Sequence, residues 1–150
     1  MKQAASQHGF TFIELLFVIA LVTIVSVLAV PKLGDWLVEQ DLNIAARELA
    51  ADLRLVQQLS INCGAGSTPE FNLRITRPYG YITTLNTKVI QPKRTFPETI
   101  RVSGSATTIS FTRNGIPKQG TDMTIALARV DGKGTKRIII QAQTGRVRIE

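Results

Sequence analysis

The chain has 150 residues, 44% of them hydrophobic, and carries 18 Lys and Arg against 11 Asp and Glu, a net charge of +7. That length suits one membrane helix plus one small domain. The lone Cys63 excludes an intramolecular disulfide framework, and no His/Cys/Asp cluster, Gly-rich phosphate loop or nucleophile motif supports a metal, a cofactor or an enzyme.

Met1 to Gly9 is a short stretch carrying Lys2 and His8. It leads into Phe10 to Val30, 21 residues in which Glu14 is the only ionisable side chain. At 1.5 Å per residue this run spans roughly 31 Å, about one hydrocarbon core. A carboxylate near a bilayer core costs roughly 2.5–3.5 kcal/mol on insertion scales and is usually functional. A secretory signal would be cut after its apolar stretch at a small-residue site, and Ala29-Val30-Pro31 matches that poorly. An ordinary single-pass anchor with a stray Glu is the plain alternative.

Beyond Pro31 and Gly34 the apolar residues recur as Leu42, Ala45, Ala46, Leu49, Leu53, Val56 and Leu59. Spacings of three and four make one amphipathic stripe, with Asp41, Glu48, Asp52, Arg54 and Gln58 largely off it. The pattern predicts one helix from Phe10 to about Ile61. Pro31 removes a ladder hydrogen bond and is expected to kink it.

The breaker-rich run from Asn62 to Pro69 stops the helix. After it the period changes to two. Strands are predicted at Phe71 to Ile75, Tyr81 to Leu85, Lys88 to Ile90, Ile100 to Val102 and Thr107 to Phe111. Further strands are predicted at Met123 to Val130, Arg137 to Gln141 and Arg146 to Ile149. Turn signals at Asn114-Gly115, Asp131 to Gly134 and Thr144-Gly145 imply antiparallel pairing. The expected fold class is α+β: a long N-terminal helix, its first half spanning a membrane, packed against a C-terminal antiparallel sheet domain.

Charge divides along the chain. Met1 to Glu70 holds 4 basic and 7 acidic residues, a net of −3; Phe71 to Glu150 holds 14 and 4, a net of +10. A basic half on a membrane helix fits a polyanionic partner (nucleic acid, anionic lipid or wall polymer) or a solvated surface with no specific partner. Arg146 and Arg148, one residue apart on a strand, point to one face, and guanidinium forks match phosphate oxygens. Arg137, Lys136, Lys133 and Lys118 could extend the patch. The alternative is an edge strand that basic residues protect from aggregation. Tyr79 and Tyr81 could stack on bases, though core or turn packing is the expected role. Cys63 is expected to be a small, buried or partly buried hydrophobe, with an intermolecular bridge as the alternative.

The motif Gly9-Phe10-Thr11-Phe12-Ile13-Glu14-Leu15 resembles the class III leader of type IV prepilins and type II secretion pseudopilins. The resemblance implies that a membrane peptidase cuts between Gly9 and Phe10 and methylates the new N-terminal Phe10. It also implies that Glu14 pairs with the methylated amine of a neighbouring subunit and sets register in a filament. A long helix followed by an all-β domain resembles the FimT/GspH branch, as do Ile109 to Pro117, Ile138 to Ile140 and Gly145-Arg146-Val147-Arg148-Ile149. The layout is similar to ComGD. Between Cys63 and Thr107 the resemblance is architectural only. The Gly-Arg-x-Arg pattern resembles that of FimT proteins involved in DNA uptake, although it occurs in secretion pseudopilins too.

The organisation expected on this basis is a leader at 1–9, a helix at 10–61 that is transmembrane over 10–30, and a β-rich domain at 62–150. The expected function is a minor pilin or pseudopilin of a type IV pilus or type II secretion system, with DNA-binding for uptake as the alternative. Expected partners are other pilins, the prepilin peptidase, the membrane and double-stranded DNA. The expected location is the bacterial inner membrane, with the leader in the cytoplasm and the β-domain outside.

Overall fold

The computed structural model describes residues 10–63 and 70–150, except for the side chains of residues 28–31. The expected leader and Gly9 lie outside the described residues. So do residues 64–69 of the breaker run and the side chain of Pro31, where the kink is expected.

One helix, α1 (Phe12–Ile61), is followed by nine strands. These are β1 (Phe71–Thr76), β2 (Gly80–Leu85), β3 (Lys88–Val89), β4 (Arg94–Thr95), β5 (Ile100–Gly104), β6 (Thr108–Ser110), β7 (Met123–Arg129), β8 (Thr135–Ile140) and β9 (Val147–Ile149). The chain divides into two compact units, Met1–Leu37 and Val38–Glu150, with the boundary inside α1.

In the first unit α1 starts on a cap. The Glu14 N–H donates to Thr11 Oγ1 at 3.3 Å. Thr11-Phe12-Ile13-Glu14 thus has the Ser/Thr-x-x-Glu spacing of a capping box, with Glu14 near the positive end of the helix dipole. Every large apolar side chain from Phe10 to Val27 is exposed, with fractions between 48% and 85%. Among the described residues no single helix is long and apolar enough to cross a membrane. The segments Phe12–Val27 and Lys32–Ile61 pass that test together, by length and composition.

In the second unit the predicted stripe is the core. Leu42, Leu49, Ala50, Leu53 and Val56 are fully buried, with Ala45 and Ala46 nearly so. Three positions depart from the pattern. Leu59 is only half-buried, and Ser60 is buried in the last turn, its hydroxyl donating to the Val56 carbonyl at 2.8 Å. Asp52, expected off the stripe, is 7% exposed.

The strands form two antiparallel sheets, ordered β3-β2-β1-β6 (with β4 also on β2) and β5-β7-β8-β9. Their inner faces supply Leu73, Ile75, Tyr81, Ile109, Ile125, Leu127, Ile138 and Ile140 to the same core as the helix stripe. Strand β7 alternates buried and half-buried along its full length, as period two requires. All eight predicted strands are present, with ends moved by at most two residues. Strand β4 is additional; Arg94 there is anchored through its side chain, which carries no period-two signal.

Candidate functional site

The outer face of the second sheet gathers arginines. Its register pairs Arg101 with Ala128, Ala126 with Arg137, and Ile139 with Arg148. Successive residues alternate between faces. Arg101, Arg137 and Arg148 therefore share the solvent face with Thr124, Ala126 and Ala128 of β7. Arg146 joins them: its carbonyl accepts from the Gln141 N–H at 3.1 Å, and Val147 behind it is buried. Among the described residues the guanidinium groups of Arg101, Arg137 and Arg146 have no hydrogen-bond or ion-pair partner. Arg148 is held at 2.6 Å by Glu150, an exposed pair of little energetic weight.

The other predicted residues lie elsewhere. Lys136 pairs with Leu127 on the opposite, core-side face of β8 and is half-buried. Lys133 lies in the β7–β8 turn, where its N–H donates to Asp131 Oδ1 at 3.0 Å. Asp131 also accepts from the buried Arg129 at 2.6 Å; those bonds hold its carboxyl below the ordinary value of 3.8. Lys118 is paired with Glu70 near the first sheet and lowers that carboxyl's pKa. Tyr81 is 1% exposed, packed on Phe96 with ring centroids 5.6 Å apart, so base stacking is closed to it. Tyr79 is exposed. Cys63 is partly buried, with Sγ 3.1 Å from the Leu59 carbonyl oxygen.

Sequence reading missed Arg101. Alternation across Ile100 to Val102 could place it outward, but its position across β7 from Arg137 depends on register.

The helix holds the basic strand in place. Arg54 Nη2 donates to the Val147 carbonyl at 3.2 Å. Gln57 Nε2 donates to the carbonyls of Gly115 (2.7 Å) and Gly145 (3.0 Å), closing two turns under one amide. Gly145 has φ +66°, and a Cβ there would fall 1.9 Å from the Gly115 carbonyl oxygen. The glycine of Gly-Arg-Val-Arg is therefore required by packing, and the arginines are left as its exposed part.

A long capped helix with a bare apolar first half and a two-sheet domain on its second half is the pilin architecture. The sequence matches the prokaryotic N-terminal methylation motif over residues 4–30. That motif gives the matching family its name, and the fold is similar to that of type IV minor pilins. Two crystal structures of the Pseudomonas aeruginosa (strain PAO1) type IV minor pilin FimU share the fold. The one in space group P65 has a TM-score of 0.56 at 22% identity, covering 73% of this chain and 92% of that one. The one in space group P21 has a TM-score of 0.60 at 20% identity, covering 75% and 90%. A comparison with curated proteins gave no match. Among the described residues no group of three or more His, Cys, Asp or Glu side chains could hold a metal ion.

Proposed function

We propose that this chain is a membrane-anchored minor pilin or pseudopilin, processed between Gly9 and Phe10, that assembles with other pilins into a type IV filament. The domain organisation follows: leader 1–9, helix 10–61 with its anchor over 10–30, and β-rich domain 62–150. The anchor sits in the bacterial inner membrane, leader on the cytoplasmic side and β-domain outside. The observation that carries the reading is the methylation motif joined to a helix half whose large apolar side chains are 48–85% exposed. A contiguous apolar surface of that kind calls for lipid or neighbouring helices. Glu14 is the assembly residue. Its pairing with a neighbour's Phe10 amine would offset two desolvated charges at once. Mass spectrometry of the mature protein tests the processing step: an N-methylated Phe10 is expected, and an intact Met1 or a start near Pro31 overturns it.

A second reading is favoured by the arginine face. DNA uptake would use Arg137, Arg146 and Arg148, aided by Lys133, while Lys118 and Lys136 take no part there. Phosphate contacts would dominate, so binding would be independent of sequence and fall with salt by about 0.9 log units per log unit for each phosphate neutralised. Arg146→Gln with Arg148→Gln should weaken binding to duplex DNA by about tenfold or more and flatten the salt slope. Equal binding by wild type and double variant in a fluorescence titration leaves the filament role alone.

A further inference from the structure

The solvent face of the first sheet is concave, and the arginine face of the second sheet takes no part in it. A trough of about 480 Å³ runs over β1 and β2, walled by the β2–β3 turn on one side and by Thr107 and Thr108 on the other. This volume lies within the usual range for small-ligand sites, about 300–1,000 Å³. Arg74 lines it from an inner strand, opposite Ile82 on β2 and Thr108 on β6. Asn72, the next residue on that face, lies opposite Thr84, and Thr84 lies opposite Val89. At the wall, Asn86 adopts φ 54°, and its Oδ1 accepts from the Glu70 N–H at 2.8 Å, which fixes the turn.

Most of the polar groups that meet there are unused by the fold, the exceptions being Asn86 and Asn72, whose Nδ2 donates to the Glu70 carbonyl at 3.5 Å. Among the described residues, neither the Arg74 guanidinium nor the hydroxyls of Thr84, Thr87, Thr107 and Thr108 have a hydrogen-bond or ion-pair partner. The trough thus combines one cation, four hydroxyls, the carboxamides of Asn72 and Asn86 and a small aliphatic patch from Ile82 and Val89. One cation is too few for a phosphodiester chain, whose affinity depends on neutralising several phosphates. Two aliphatic side chains are too few for an acyl chain. A peptide cannot add as a strand beside β1 or β2, because each is flanked by other strands on both sides. A sugar ring bearing one carboxylate fits each part. Its carboxylate would take the Arg74 fork, its hydroxyls the threonines and Asn72, and its C–H face Ile82 and Val89. We propose that this trough is a binding site for an acidic saccharide of the uronic-acid type, separate from the arginine face of the second sheet.

The test uses the detergent-solubilised full chain and fluorescence anisotropy. The probe is a labelled hyaluronan tetrasaccharide, with neutral chitotetraose as control. Wild type should bind the acidic probe at least tenfold tighter than the neutral one. Arg74→Gln should lose tenfold or more, and Thr84→Val with Thr108→Val should lose severalfold. Arg146→Gln with Arg148→Gln should bind the acidic probe as wild type does. No binding of the acidic probe at millimolar concentration overturns the proposal. So does an unchanged affinity in Arg74→Gln, or an equal loss in the Arg146/Arg148 variant, which would assign the sugar to the second sheet. Far-UV circular dichroism checks that each variant is folded; Arg74 is exposed and supports no other side chain.

Discussion

At Gly145 one residue separates what the fold needs from what a ligand could use. Its φ of +66° lies in the left-handed region, where a Cβ is strained, and the Gly115 carbonyl leaves no room for one. Gly145→Ala should therefore cost about 2 kcal/mol or more, combining backbone strain with a clash between two turns. Arg146→Gln with Arg148→Gln should cost less than about 0.5 kcal/mol, because both side chains point into solvent. Urea unfolding of the three proteins measures both. A Gly145→Ala variant as stable as wild type would mean the glycine is there for ligand approach instead. Gly-Arg-Val-Arg alone could not separate these roles. The near neighbour that matters, Gly115, is 30 positions away in the chain, and the two carbonyls share the Gln57 amide as donor.

Among the elements, α1 and strands β2 and β4 meet at a buried polar cluster. The Tyr81 hydroxyl donates to Asp52 Oδ2 at 2.7 Å, and Arg94 Nε reaches the same oxygen at 3.2 Å. Burial first, and the neighbouring Asp52 carboxylate second, raise the Tyr81 pKa above its ordinary value of 10.0. A group whose folded pKa is raised stabilises the fold fully below its unfolded value and loses that contribution as pH rises past it. Stability should thus be flat with respect to Tyr81 below about pH 10 and fall above it. Tyr81→Phe should flatten this alkaline limb while lowering stability at pH 8 by about 1–2 kcal/mol, since Asp52 loses its donor. Urea melts from pH 8 to 11 decide it; an alkaline limb equally steep in the variant would clear Tyr81 of any part. The same cluster marks the limit of what period could reveal. The helix stripe, and most strands with their turns, were legible because burial follows spacing. Asp52 was not, since its burial is set by Tyr81 and Arg94, distant in sequence. Strand β4 was hidden for the same reason: a two-residue strand anchored by an ion pair has no alternation to read. At the basic face, alternation put Arg146 and Arg148 together. Alternation could also turn Arg101 outward and Lys136 away from Arg137, but only register brings Arg101 across β7 from Arg137.

For the molecule as a whole, the weight of the proposed function rests on a helix that is buried in one unit and bare in the other. Leu42 to Val56 have found their partners within the second unit, whereas Phe10 to Val27 have none in the first. Glu14 sits at the start of that bare half, and two physical roles compete for it: third residue of a capped helix, or charge for a neighbouring subunit. They predict different mutants. Removing the carboxylate favours membrane insertion by roughly 2.5–3.5 kcal/mol on insertion scales. It costs the helix only about 0.3–1 kcal/mol of dipole interaction. Glu14→Ala should therefore remain in the membrane fraction yet be absent from sheared filaments. Thr11→Ala removes the cap, worth about 0.5–2 kcal/mol, and leaves the charge in place. It should still be incorporated. Cell fractionation with immunoblots of both fractions reads all four outcomes. Normal incorporation of Glu14→Ala refutes the assembly role. Exclusion of both variants would assign the effect to the helix terminus, since a charge acting between subunits would have survived in Thr11→Ala.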